Sequence, residues 1–370
     1  MSWRFWVVLF AAFLSAISLG QQTPASASPE LKGLVVRPPE PVASRDSSGR
    51  KIQKITLDAV VTDAAGKPVA GLTQEDFSLL ENGQPKPILS FRAVDNKAAT
   101  MDPVQAVLVV DTVSNSFENV AAERREIELF LGRDGGRLPF PVSIVLFADN
   151  GAQVDRPSRD GKVLISELKK TFTAIPTIDS AMGAAGSIER FQRSLKVLKQ
   201  LIAYEGAQPG KKLVLWLGPG WPMLASAHFG LSERDRHADW DEIVSFSTDL
   251  RRSRMSLYSV DSSSLGSEAG RTFYYQNFLK PVLTPQQADA AHLALPVLAV
   301  QSGGLVASRS NDVMAEIANC LEDGKSYYTI TYDALPSEQP NEYRSLELKV
   351  GKAGLMARTN SGYYAQPGSF

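Results

Sequence analysis

Residues 104–116 read VQAVLVVDTVSNS. A near-continuous β-branched run without charge, stopping at an aspartate and a small polar loop, predicts a strand buried on both faces of a parallel sheet. Such a strand delivers its carboxyl end to a ligand crevice. The strand buries itself, and the loop carrying Asp111, Ser114 and Ser116 is left free for chemistry.

Downstream, helical and strand patterns alternate. ENVAAERREIELFLGR places Val120, Ile127 and Leu131 on one helical face with charges opposite, and VSIVLFADN is a second buried strand ending at Asp149. Helices follow at VLISELKKTF and SIERFQRSLKVLKQLIAY, where Ile188, Phe191, Leu195, Leu198 and Ile202 recur at helical spacing. Next come a strand at KKLVLWLG, a helix at DWDEIVSFSTDLRRS capped by Asp239, and a strand at MSLYSVD ending at Asp261. A helix is expected to start at Thr284-Pro285, then a short strand GGLVAS, then a last helix capped by Asn311. This order predicts a doubly wound, mostly parallel α/β sheet over residues 102–325.

The flanks read differently. Residues 52–98 alternate as three or four short strands around an Asn82-Gly83 turn, too few to bury a core alone. Residues 326–370 supply SYYTITYDA, YRSLELKVG and GLMARTNSGYYA. The two ends are therefore expected to pair into one small β-sandwich-like module beside the sheet domain. Residues 1–20 combine Arg4, an apolar stretch and small residues before Gly20, the pattern of a secretory signal peptide, with an uncleaved anchor as the alternative. Residues 21–51, rich in Pro, Ser and Ala, read as a flexible linker.

Composition narrows the function. Lys and Arg number 39 against 40 acidic residues, so there is no electrostatic reason to expect nucleic acid. The single cysteine, Cys320, excludes an internal disulfide and sits on a helix's apolar face. His228, His237 and His292 lack metal-ligand spacing, and no GxSxG, HExxH or GxxxxGK motif occurs. The expectation is a protein that is not an enzyme.

The element order from Val104 to Gly324, with an aspartate ending the first strand, VSIVLFAD as the second long strand, and YSVD followed by QSGGLVAS, resembles a von Willebrand factor type A domain. From Ile52 on, the opening VVTDAAGKPVAGLTQEDFSLLENGQPKPILSF and the close SYYTITY with LMARTNSGYYA resemble the von Willebrand-related proteins abundant in Acidobacteria. The resemblance implies a Rossmann-like fold, a role in adhesion or protein assembly, and Mg²⁺ at a metal-ion-dependent adhesion site of the form Asp-x-Ser-x-Ser. Here Asp111 matches the first aspartate, while the next two ligand positions fall on Val113 and Asn115, with Ser114 and Ser116 one residue late. Ser187 takes the place of the family's threonine, and Gly218 that of its second aspartate.

One carboxylate and a few hydroxyls would hold Mg²⁺ weakly, so the site reads as either degenerate or metal-free. An aspartate at 218 is expected to strengthen the ion without disturbing the fold. Asp149 and Asp261 read as crevice contributors or as turn and cap residues, and Trp221 as a partner anchor or as a ring covering the sheet. The functional expectation is an exported module that meets a protein partner at the strand-end crevice. The rivals are a structural envelope component with an inert crevice and, more remotely, a hydrolase using Asp111 and Asp149.

Overall fold

The computed structural model describes residues 44–45, 51–95, 103–149, 151–172, 183–221, 232–261, 274–308 and 312–367. The signal-peptide segment and most of the linker lie outside the described residues.

The amino-terminal strands are β1 (Ser44–Arg45), β2 (Lys51–Thr62), β3 (Phe77–Glu81), β4 (Gln84–Lys86) and β5 (Ser90–Asp95). Asn82 and Gly83, both at positive φ (50° and 74°), make the tight turn between β3 and β4 that the sequence announces. The central unit follows with β6 (Val104–Asp111), α1 (Phe117–Gly132), β7 (Arg137–Ala148), β8 (Gly151–Val154), β9 (Ser158–Asp160), α2 (Gly161–Phe172) and α3 (Gly183–Gly206). It continues through β10 (Lys211–Leu217), α4 (Glu233–Arg252), β11 (Met255–Asp261), α5 (Leu295–Gln301), β12 (Val306–Ser308) and α6 (Val313–Glu322). The chain closes with β13 (Ser326–Ala334), β14 (Glu342–Val350), β15 (Met356–Arg358) and β16 (Gly362–Ala365).

The central sheet runs β12-β11-β10-β6-β7-β8, with β9 also on β7; its pairs from β12 to β7 are parallel, and β8 and β9 are antiparallel. Strand β6 shows why the sequence is apolar without a break from Ala106 to Val110. Val107 and Val109 point into a core shared with α3, α4 and α5, whereas Ala106, Leu108 and Val110 point into the opposite core with α1, α2 and α6. With period-two alternation and helices on both faces, neither face tolerates a polar residue.

The two ends of the chain do fold together. Strand β13 pairs antiparallel with both β2 (Ile330 opposite Leu57) and β5, while β14 lies between β3 and β16. The inner faces of the two sheets share one core of Ile55, Leu57, Leu79, Tyr328, Ile330 and Leu348. Arg254 after α4 clamps Asp58 of β2 through Nη2 to Oδ1 (2.6 Å) and Nε to Oδ2 (3.0 Å), tying this sandwich to the α/β unit.

Several expectations need correction. β1 pairs with β2 (Ser44 opposite Ile52), so the linker reading does not hold at its carboxyl end. Helix α4 begins two turns earlier than read, capped by Ser232 in a reciprocal box with Asp235, and Asp239 lies inside it. Helix α6 is capped by Asp312, whose side chain accepts from the Ala315 amide, rather than by Asn311. The segment after Thr284 forms short 3₁₀ turns, and its α-helix starts only at Leu295.

Candidate functional site

At the carboxyl edge of β6 the Asp111 carboxylate is 0% exposed. Its Oδ1 accepts the backbone N–H groups of Val113 and Ser114, both at 2.9 Å, and its Oδ2 accepts the indole N–H of Trp216 at 3.0 Å. Burial pushes its pKa up, and the Trp216 and loop N–H donors pull against that rise. Asp111 thus folds the loop back on itself as an Asx turn and anchors it to the neighbouring strand. Sequence reasoning missed Trp216; the only signal was a polar-tipped ring among the aliphatic residues that follow the two opening lysines of its strand.

The rest of the loop is also engaged. The Ser114 hydroxyl is buried against the same carboxylate without a hydrogen bond of good geometry. Asn115 donates to buried Glu123 (Nδ2 to Oε1, 2.9 Å), and the Ser116 hydroxyl caps α1 by accepting the Asn119 amide at 3.2 Å. The Ser187 hydroxyl, in the first turns of α3, accepts from Arg190 Nη2 at 3.3 Å. Gly218 sits against Asp111 at φ 118°, and a Cβ there would lie 3.3 Å from Asn115 Nδ2.

This donor set does not fit Mg²⁺, which asks for a near-octahedral shell of oxygens with ionised ligands among them. Both Asp111 oxygens face N–H donors, the position of a second carboxylate is a glycine, and a guanidinium holds the Ser187 hydroxyl. Among the described residues no three His, Cys, Asp or Glu side chains cluster as a metal set.

The remaining candidates separate. Trp221 is 3% exposed, its Nε1 donates to the Leu293 carbonyl at 2.8 Å, and its ring meets Trp216 edge-on at 5.1 Å. It covers the sheet and presents nothing to a partner, which corrects the anchor reading. Asp149 lies just past β7, exposed and ion-paired to Arg193 at 3.0 Å, and Asp261 ends β11 half-buried. His292 packs edge-on against Phe278 with its pKa lowered by burial, and His237 is exposed in α4. Burial pushes the Cys320 thiol up, away from reactivity.

No family model matches the chain, and no curated protein matches it. Among solved structures, an aerotolerance-related membrane protein from Bacteroides fragilis is similar at 11% identity and TM-score 0.31, over 60% of this chain and 99% of that one. Manganese-loaded TRAP protein from Plasmodium vivax is similar at 12% and 0.30, over 76% and 97%. The pilus adhesin SpaC from Lactobacillus rhamnosus GG, in its open conformation, gives 12% and 0.37, over 88% and 55%. Sheet order and layering carry the assignment. The chain is a doubly wound, mostly parallel α/β sheet with an added β sandwich.

Proposed function

We propose that the chain is an exported, non-enzymatic protein-binding module of the adhesion or assembly kind, related to the acidobacterial von Willebrand-related proteins. Its contact surface is the rim of the strand-end crevice rather than the floor. The observation that carries this reading is Phe117, 80% exposed as the first residue of α1, directly after the capping Ser116. Ile188 is 37% exposed in the first turns of α3, and because the carboxyl end of α3 leads into the start of β10, the beginning of that helix lies toward the same carboxyl edge of the sheet. Covering a phenylalanine ring is worth roughly 2–3 kcal/mol, enough for an interface anchor.

The test is capture from the parent cell envelope with the wild type and with Phe117→Ser and Ile188→Ser. Retention of a partner by the wild type, unaffected by chelator and lost in both variants, supports the rim. Unchanged retention in both variants overturns it and favours the structural rival, which the locked Asp111 carboxylate also suits. Export is tested separately by intact mass from the native host, with a mature chain beginning at Gln21 expected.

A further inference from the structure

At the opposite edge of the central sheet, where α4 stops and β11 begins, five cations line a cleft of about 630 Å³: Lys54, Arg92, Arg251, Arg252 and Arg254. The cleft lies between the C-terminal turn of α4 and the outer face of the five-stranded sheet. Alternation along the strands explains its character. Ile55 and Leu57 of β2 and Ile330 of β13 face the sandwich core, so their neighbours face outward. At one end of that outward face Val60, Val94 and Tyr327 pack on the α/β core. Farther along, the outward positions become Asp58 and Thr329, then Thr56 and Thr331 with hydroxyl oxygens 3.3 Å apart, then Lys54. The face turns from apolar to hydroxylic to cationic as it moves away from the packed interface.

These charges are unevenly matched. Arg254 is held by Asp58, and Asp333 stands across the ladder from Lys54. Arg251, only 7% exposed, lies over the Tyr363 ring at 5.3 Å, and its Nε has no hydrogen-bond partner; nor does the buried Nε of Arg252 beside it. The negative end of the α4 dipole offsets part of this charge. Its last carbonyls are already taken, Asp249 O by the Ser253 amide and Arg251 O by the Arg254 amide. Burial, then Arg252, brings the Arg251 pKa down to about 10, which leaves it charged at neutral pH. A buried guanidinium without an acceptor is strongly unfavourable unless an anion completes it.

We propose that this cleft binds a small ligand bearing phosphate or sulfate groups, its oxyanion held by Arg251 and Arg252 and its hydroxyl-accepting edge by Thr56 and Thr331. The volume suits a small molecule and is too small for a folded partner. The site is separate from the rim around Phe117, so the two readings stand or fall independently.

Calorimetry on the full chain at low salt, with sodium pyrophosphate, inorganic phosphate, sulfate and a hexaglutamate peptide as titrants, tests the proposal. Saturable one-to-one binding of pyrophosphate or sulfate is expected, and whichever is tighter says which ester the cleft takes. Arg252→Gln and Lys54→Gln should each weaken it at least tenfold, and Phe117→Ser should leave it unchanged. Arg252 and Lys54 are partly solvated, so these variants keep the test clear of misfolding, and Arg251→Gln then adds the buried contact. No saturable heat from any of the three oxyanions at millimolar concentration, tighter binding of hexaglutamate, or full affinity in Arg252→Gln would overturn it.

Discussion

The indole Nε1 of Trp216 donates to Asp111 Oδ2 at 3.0 Å, joining side chains on adjacent parallel strands and closing the floor of the crevice. The aspartate that the sequence offers as a metal ligand is here a structural bond. Replacing Trp216 by Phe should keep the ring's packing on Trp221 and Phe147 but leave a buried carboxylate oxygen without its donor. A loss of about 1–3 kcal/mol is expected in urea denaturation, with no change in the midpoint on adding millimolar Mg²⁺ or Mn²⁺ to either protein. A metal-dependent rise in the wild type would show that the ion displaces these bonds.

Gly218→Asp, which the sequence alone presents as a harmless restoration of the missing ligand, should instead destabilise the protein. A φ of 118° is a conformation that side chains rarely adopt, and the new Cβ would press on Asn115 Nδ2 at 3.3 Å. A penalty on the order of 1–3 kcal/mol is expected. Thermal melts of Gly218→Ala and Gly218→Asp separate the contributions, since the alanine carries the strain without the charge.

Glu205, at the end of α3, is fully buried with Oε1 accepting from Gln105 at 3.2 Å. Burial lifts its pKa to about 7, against the pull of Lys212 and Gln105. A carboxyl whose folded pKa lies above its unfolded value binds its proton more tightly when folded. Its contribution is therefore fully favourable below about pH 4.5 and is lost as pH rises to 7. Glu205→Gln should be more stable than wild type at pH 8 by up to about 3 kcal/mol and nearly equal to it at pH 4.5. Paired denaturant curves at the two pH values read this directly.

What the sequence made legible follows from periodicity. The apolar run of β6 and the alternation of the terminal strands each have one reading, and the doubly wound sheet and the paired ends follow from them. Strands β8 and β9 escaped because they are four and three residues long, with polar side chains among them. At the crevice, Asp111 was legible as the end of a buried strand, but its role was not, because Trp216 lies 105 residues away in sequence. The cationic cleft was illegible for the same reason, since its walls come from β2, β5, β13 and the end of α4.

Glu81 provides the sharpest test that the two ends of the chain are one folding unit. It sits at the end of β3, 4% exposed, and accepts the hydroxyls of Tyr332 (3.0 Å) and Tyr363 (2.6 Å) while pairing with Lys86 at 2.8 Å. One buried carboxylate therefore bonds an amino-terminal strand to two carboxyl-terminal ones. Burial alone would raise its pKa, but the Lys86, Tyr363 and Tyr332 donors outweigh burial and hold it below the usual carboxylate value. A depressed folded pKa means that this stabilisation is present above about pH 4.5 and lost as pH falls through the folded value. Glu81→Ala should cost on the order of 3 kcal/mol at pH 7, and the gap from wild type should narrow in acid as both lose the pairing. Deleting residues 343–370 removes nearly all of β14 and all of β15 and β16, strips β3 of one of its two neighbours and opens the shared core around Leu79 and Leu348. Limited proteolysis of that truncation should then cut within residues 52–95 as readily as in an unfolded chain. Continued protection of 52–95, together with a Glu81→Ala variant as stable as wild type, would mean that the amino-terminal strands fold without the carboxyl-terminal ones.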